Sequence, residues 1–205
     1  MKQIIAKTAG LAWQSALKYV STEGHDIKDG EKDLKEVMNV FLTVESPSGS
    51  DPILEKFADQ AMIDWMRKNF LSLDPVANWR YSYGQRFTDY YGIDQIKGIV
   101  EKLKKNPESK SATITLMDPK GDGGHIPCIV ALDFKIRDGK LMTTAFFRSQ
   151  DVGKKIYADI ICLGEIAQKI ANEVNAQNGE LNILIVSLHL YEEDRDKINQ
   201  LLNAS

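Results

Sequence analysis

Apolar positions in the first third of the chain follow helical spacing twice. Leu11, Ala12, Ala16, Tyr19 and Val20 recur at three and four residues between Thr8 and Ser21, and Gly24 stands where a helix stop is expected. Leu54, Phe57, Ala58, Ala61, Met62, Trp65 and Met66 repeat the pattern and predict a well-buried helix running to about Phe70. Between them, the charged stretch His25 to Asp33 with its Gly30 reads as a loop. Met38 to Val44 is β-branched and apolar enough for a strand, ended by Ser46-Pro-Ser-Gly-Ser-Asp-Pro52. Aromatics crowd the segment from Asn78 to Tyr91. Ile93, Ile96, Ile99, Val100 and Leu103 then stripe a helix that ends in lysines and is closed by Pro107. Strand patterns follow at Ser111 to Leu116, at Ile126 to Arg137 after a Gly-rich loop from Asp118 to His125, and at Lys140 to Phe147. Asp138-Gly139 joins the last two as a hairpin turn. Ile160, Leu163, Ala167, Ile170 and Val174 mark a long helix, Leu181 to Leu190 a buried strand, and Glu192 to Leu202 a charged helix. With no repeat or linker, this order predicts one α+β domain over residues 1–205, a mixed, mainly antiparallel sheet packed with helices.

Charge narrows the partners. Twenty-six Lys plus Arg face twenty-nine Asp plus Glu, a net charge of −3, so no basic surplus exists to condense on nucleic acid or anionic lipid. No uncharged apolar run approaches the roughly 18 residues of a membrane span. Lys7 interrupts the start before a signal-peptide core develops. The expectation is a cytoplasmic protein with neither a nucleic-acid nor a membrane partner. Two cysteines, Cys128 and Cys162, and the scattered His25, His125 and His189 suit neither a disulfide framework nor a metal centre.

Cys128 follows Pro127 at the mouth of a strand. A lone strand cysteine is most often a small buried hydrophobe, and a reactive one needs a cation beside it. A two-residue turn at Asp138-Gly139 puts Cys128 opposite Ser149 and next to Arg148, which supplies that cation. Arg148 and Ser149 with Asp151 and Gly153 form a compact cluster in which a guanidinium fork and a hydroxyl suit a phosphate; the blander alternative is a solvated turn with a surface ion pair. His189 and Tyr191 alternate along one strand and share a face. Gly121 to Gly124 lacks the Gly-Lys-Ser/Thr of a phosphate loop and reads as a flexible connection. Tyr81, Tyr83, Phe87, Tyr90 and Tyr91 can stack on bases, but in an acidic chain they read as core and pocket wall.

Together these pieces resemble the thymidylate synthase superfamily. Pro127-Cys128 resembles its nucleophile motif, followed by Asp138-Gly-Lys-Leu141, Arg148-Ser-Gln-Asp151 and His189-Leu-Tyr191, with Tyr83-Gly-Gln-Arg86 and Ile93-Asp-Gln-Ile96 before them. The resemblance covers the chain from about Tyr81 onward and is closest to the short archaeal-type members. It implies a thymidylate synthase-like fold, a homodimer, a pyrimidine nucleotide monophosphate as substrate and methylenetetrahydrofolate as cofactor. Cys128 would add to ring C6, and C5 would then attack the one-carbon unit. Arg148 and Ser149 would hold the phosphate, with Arg148 also favouring the thiolate. Asp151 would contact the base, His189 and Tyr191 the sugar hydroxyl, and Tyr83 would belong to the proton-transfer network.

Departures from the pattern sharpen the expectation. Eleven residues after the arginine, where a thymidylate synthase carries an asparagine that reads uracil, this chain has Asp159. A carboxylate only accepts, which penalises O4 of uracil and suits the 4-amino group of cytosine, with a proton shared between N3 and Asp159 completing the pair. The same replacement marks the cytidylate hydroxymethylase branch; the structural alternative is an Asp159 that merely caps its helix. The two arginines lent by the partner subunit are reduced here to Lys110 in Pro107-Glu-Ser-Lys110-Ser111. The histidine after the nucleophile is Ile129, and Glu45 is only a positional match for the catalytic glutamate. A chain ending at Ser205 lacks the tail that closes over folate in longer members, which would admit water. The expected activity is hydroxymethylation of CMP or dCMP at C5, with methylation of dUMP or a non-catalytic nucleotide-binding role as alternatives.

Overall fold

The computed structural model describes residues 2–47, 51–76 and 80–202, with the backbone alone at 196, 197 and 200. Its strands are β1 (Lys2–Thr8), β2 (His25–Asp29), β3 (Lys32–Ser46), β4 (Thr113–Thr115), β5 (Ile129–Arg137), β6 (Lys140–Asp151) and β7 (Gln177–Tyr191). Its helices are α1 (Ala9–Glu23), α2 (Pro52–Phe57), α3 (Gln60–Leu71), α4 (Tyr83–Thr88), α5 (Gln95–Lys105), α6 (Ile156–Glu173) and α7 (Arg195–Leu202). The strands form one mixed sheet in the order β1-β3-β7-β6-β5-β4, with β2 paired to β3. The β1/β3 and β6/β7 pairs are parallel and the others antiparallel. This is the expected α+β class, and among the described residues no helix is long and apolar enough to cross a membrane.

Several boundaries differ from the sequence expectation. The charged segment from His25 to Asp33, expected as a loop, is the β2–β3 hairpin, turning at Gly30 with φ +60°. Every residue of β2 is exposed, and charge on such an edge strand deters pairing with another chain rather than marking a loop. The helix expected from Leu54 to Phe70 is two helices, because Asp59 accepts from the amides of Ala61 and Met62 and starts α3 afresh. Tyr83–Thr88 is helical, capped by Ser82. Helix α6 begins at Ile156, so Asp159 lies inside its first turns; the N-cap position is Lys155, without a side-chain capping bond. Asp159 therefore is not the cap. Residues 48–50 of the predicted strand end, Asn78 of the aromatic stretch and the Ser205 terminus lie outside the described residues.

Helices α1 and α6 cover one face of the sheet. Every residue in the first half of α6, from Ile156 to Gly164, is buried. On the other face Ile5 and Phe146 are 61% and 36% exposed. Inward–outward alternation slips by one residue at the same level in four neighbouring strands. Two successive residues escape burial at Met38-Asn39 in β3, Val186-Ser187 in β7, Arg148-Ser149 in β6 and Val130-Ala131 in β5. These positions are adjacent, since Met38 and Ser149 both pair with Ser187 and the β5/β6 register shifts between Ile129 and Ala131. Asn39 takes φ +58° there, a region that suits Gly or Asn and strains a β-branched residue. Asn39→Val should accordingly lower unfolding free energy by about 1–3 kcal/mol, whereas Asn39→Gly should stay within about 0.5 kcal/mol; urea denaturation of both variants checks the pair.

Candidate active site

Cys128 lies half-buried just before β5, and the amide of Arg148 donates to its carbonyl at 2.9 Å. The slip therefore sets Arg148, rather than Ser149, directly across from Cys128. The Ser149 hydroxyl still reaches it, donating to Sγ at 3.8 Å. The Arg148 guanidinium donates to the carbonyls of Pro127 (3.1 Å) and Ile126 (2.6 Å) and to Ser149 Oγ (3.1 Å). Three of its five N–H groups thus hold the cysteine segment and the serine, and the remainder are available to an anion.

These residues open onto a cavity of about 560 Å³. Its lining includes Cys128, Arg148, Ser149, Asp151, His189 and Tyr191, six of the residues singled out from sequence. Asp151 pairs across the sheet with His189, which pairs in turn with Glu36. Burial raises the Asp151 pKa, opposed by the amides of Lys154 and Gly153 and by His189. Burial lowers that of His189 against the pull of Asp151, keeping the imidazole a neutral donor–acceptor. His189 and Tyr191 meet edge to face at 5.1 Å.

Tyr83 and Asp159 stand one layer behind this wall. The Tyr83 hydroxyl accepts from the Ile129 amide at 3.3 Å, directly behind the nucleophile. Its pKa is raised by burial and by the charges of Cys128 and Asp159. Asp159, 1% exposed, accepts from Gln150 Nε2 at 2.7 Å through Oδ2, while its buried Oδ1 has no protein partner. Lys110 is exposed on the α5–β4 connection and does not line the cavity. Glu45 lines a separate depression on the open sheet face, so the positional match fails. Cys162 is a core residue, with burial pushing its thiol pKa up.

Among the cavity residues that the sequence expectation did not include are Ser187, Glu36 and Lys155. Ser187 precedes His189 by two and shares its face, a signal strand periodicity offers. It donates to Glu36, whose place depends on the β2–β3 hairpin being strand. Lys155 follows the Arg148–Asp151 cluster and lines the cavity beside Cys128. The loop around Gly121 to Gly124, expected as a flexible connection, is instead bonded: Arg86 pairs with Asp122, donates to the Leu116 carbonyl at 2.9 Å and lies between the rings of Tyr81 and Tyr90. Tyr81, Tyr83 and Phe87 are core as expected, but Tyr91 is 72% exposed.

A profile described as thymidylate synthase matches residues 52–205. The chain belongs to the thymidylate synthase family. It is 31% identical to a protein of Methanothermobacter marburgensis over 88% of each chain. It is 30% identical to one of Methanosarcina barkeri over 97% of this chain and 94% of the relative. Both relatives bear the name "Putative thymidylate synthase". Members of this family are folate-dependent transferases that act on pyrimidine nucleoside monophosphates, and the matched span contains every residue of the cavity wall from Cys128 to Tyr191.

Burial raises the Asp159 pKa, with Lys155 and then Gln150 opposing it. A raised pKa means that the folded protein holds this proton more tightly than the unfolded chain. The stabilisation is complete below the unfolded value and is lost as pH rises through the folded one. The Tm difference between wild type and Asp159→Asn should therefore move against wild type as pH is taken from about 4 to 8. Differential scanning calorimetry checks it, and a pH-independent difference would contradict the assignment.

Proposed function

We propose that this protein transfers a one-carbon unit to C5 of CMP or dCMP and releases the 5-hydroxymethyl nucleotide. The observation that carries this reading is Asp159 Oδ1, a buried acceptor with no partner while Gln150 occupies the other oxygen. The 4-amino group of cytosine supplies the missing donor. Uracil places O4 there, acceptor against acceptor, at a cost of about 1–3 kcal/mol.

In the proposed reaction the Cys128 thiolate adds to ring C6 and makes C5 nucleophilic. Arg148 and Ser149 hold the phosphate, His189 and Tyr191 take the sugar hydroxyl, and Asp151 meets the base. Tyr83 serves proton transfer from behind Cys128. Methylenetetrahydrofolate would supply the one-carbon unit and leave as tetrahydrofolate as the C5 proton is lost; water then adds to the exocyclic methylene, and expulsion of the Cys128 thiolate from C6 releases the hydroxymethyl nucleotide. A second cavity of about 380 Å³ is walled by Trp13, Phe57, Met62 and Tyr157 and lined by Lys56, while the Lys154 beside it is paired with Glu193 and Asp194. Aromatic walls and the Lys56 ammonium suit the ring systems and a carboxylate of a folate. The uncovered sheet face, with Ile5 and Phe146 exposed, supports a homodimer in which Lys110 reaches the partner's phosphate site; sedimentation equilibrium should return twice the chain mass.

The names borne by the archaeal relatives favour a second reading, methylation of dUMP. Tritium at C5 separates the two. With methylenetetrahydrofolate, release should come from CMP or dCMP with a hydroxymethyl product, and Cys128→Ser should slow it on the order of a thousandfold or more. Release confined to dUMP, with dihydrofolate formed, would overturn hydroxymethylation. Absence of release from every nucleotide would favour a binding role, which a buried Ile129 in place of the family's histidine permits.

A further inference from the structure

The cavity contains a cation that the phosphate cluster does not account for. Lys155 stands at the N-cap position of α6 and lines the cavity with Cys128, Asp151 and Tyr191. Asp159 follows one helical turn later, its amide donating to the Lys155 carbonyl at 3.0 Å. Lys155 stands in the cavity wall where α6 begins, and the first turn of α6 puts Asp159 directly behind that wall. Burial works against the Lys155 charge, but attraction to Asp159, then Cys128 and Asp151, outweighs it and raises the pKa. Lys155 is also the cation that acts on Asp159. Arg148 lies at the other side of Cys128, donating to Ile126, Pro127 and Ser149.

We propose that Lys155 and Asp159 together read the base, the ammonium donating to ring N3 while the carboxylate accepts from the 4-amino group. This rests on the cytidylate reading above and replaces the proton that Asp159 would otherwise share with N3. A pyrimidine with C6 at Cys128 presents N3 across the ring, next to the carbon that bears the amino group. Cytosine shows an acceptor at N3 and a donor at C4, and a lysine–aspartate pair shows the complement. Uracil shows N3–H and O4, so both positions are mismatched: donor faces donor, and acceptor faces acceptor. An Asp159 acting alone opposes uracil at one position only, so Lys155 is a specificity-determining residue, distinct from the phosphate and thiol machinery.

Calorimetric titration of the full chain with dCMP, CMP and dUMP, and with ribose 5-phosphate as a base-free probe, tests this. Wild type should bind a cytidylate on the order of tenfold or more tighter than dUMP. Lys155→Met should lower that ratio by roughly fivefold or more by weakening cytidylate, leaving only the preference that Asp159 enforces at the 4-position, with ribose 5-phosphate binding unchanged. Lys155→Arg, which keeps a charged donor, should retain a preference for cytidylate, and circular dichroism melts confirm that both variants fold. A wild type without cytidylate preference would overturn the proposed function and this pair with it. A preference undiminished in Lys155→Met would overturn the pair alone. Equal losses for nucleotides and ribose 5-phosphate would make Lys155 a phosphate cation and likewise overturn it.

Discussion

A one-residue slip in side-chain alternation, shared by β5, β6, β7 and β3, is the constraint on which the site depends. Neighbouring strands must keep the same facing, because opposed residues sit on the same side of the pleat. A bulge in one strand is therefore accommodated only if its neighbours follow, and here the four slips lie side by side. Before the slip, Ala145, Phe147, Ile183 and Ile185 pack under the helices, fully buried. Beyond it, strict alternation would send Ser149, Asp151, Ser187 and His189 into that same core. The slip instead turns Gln150 and Leu188 inward and leaves the polar set on the cavity. Unpaired burial of such groups costs roughly 1–3 kcal/mol each, so the displaced alternation stabilises the fold while it assembles the chemistry.

Chain direction supplies the second requirement. Strands β6 and β7 are parallel neighbours, so the chain must cross over between them, and α6 is that crossover. The carboxyl ends of both strands and the first turn of α6 consequently converge, the usual location of a site in parallel strand pairs. Trp13 holds the convergence in place, donating from Nε1 to the Val152 carbonyl at 2.8 Å from helix α1. One supersecondary unit thereby delivers Arg148, Asp151, Lys155, Asp159, His189 and Tyr191.

Much of this was legible in the chain. The Asp138-Gly139 turn brought Cys128 to Arg148 and Ser149 because hairpin pairing is arithmetic, and it erred by one residue because a bulge leaves no mark in that arithmetic. Helical periodicity found α1, α5 and α6, but it ran α2 and α3 together, since their apolar positions stay in phase across Asp59. The β2–β3 hairpin stayed hidden because edge strands carry the charges of loops, and Glu36 stayed hidden with it. Lys155 escaped for a different reason. A lysine beside another lysine reads as solvated surface until a tertiary fold places carboxylates around it.

The support behind the nucleophile is polar and buried, and energy alone does not explain it. Arg86 and Asp122 are 6% and 4% exposed, and a buried ion pair commonly gains no more than well-packed hydrophobic residues of similar volume. Its partners show what it secures. Arg86 belongs to α4, which also carries Tyr83 behind Ile129, and Asp122 belongs to the loop that delivers Pro127 and Cys128. Asp122 in turn accepts from the Asp118 amide at 2.7 Å, fixing the loop to itself. A glycine-containing loop held only by apolar contacts would have many arrangements of similar energy, whereas a bidirectional charge pair with directed hydrogen bonds has few. The cost of desolvating two charges is thus tied to one outcome, a cysteine held at a fixed distance from Arg148 on one side and Tyr83 on the other.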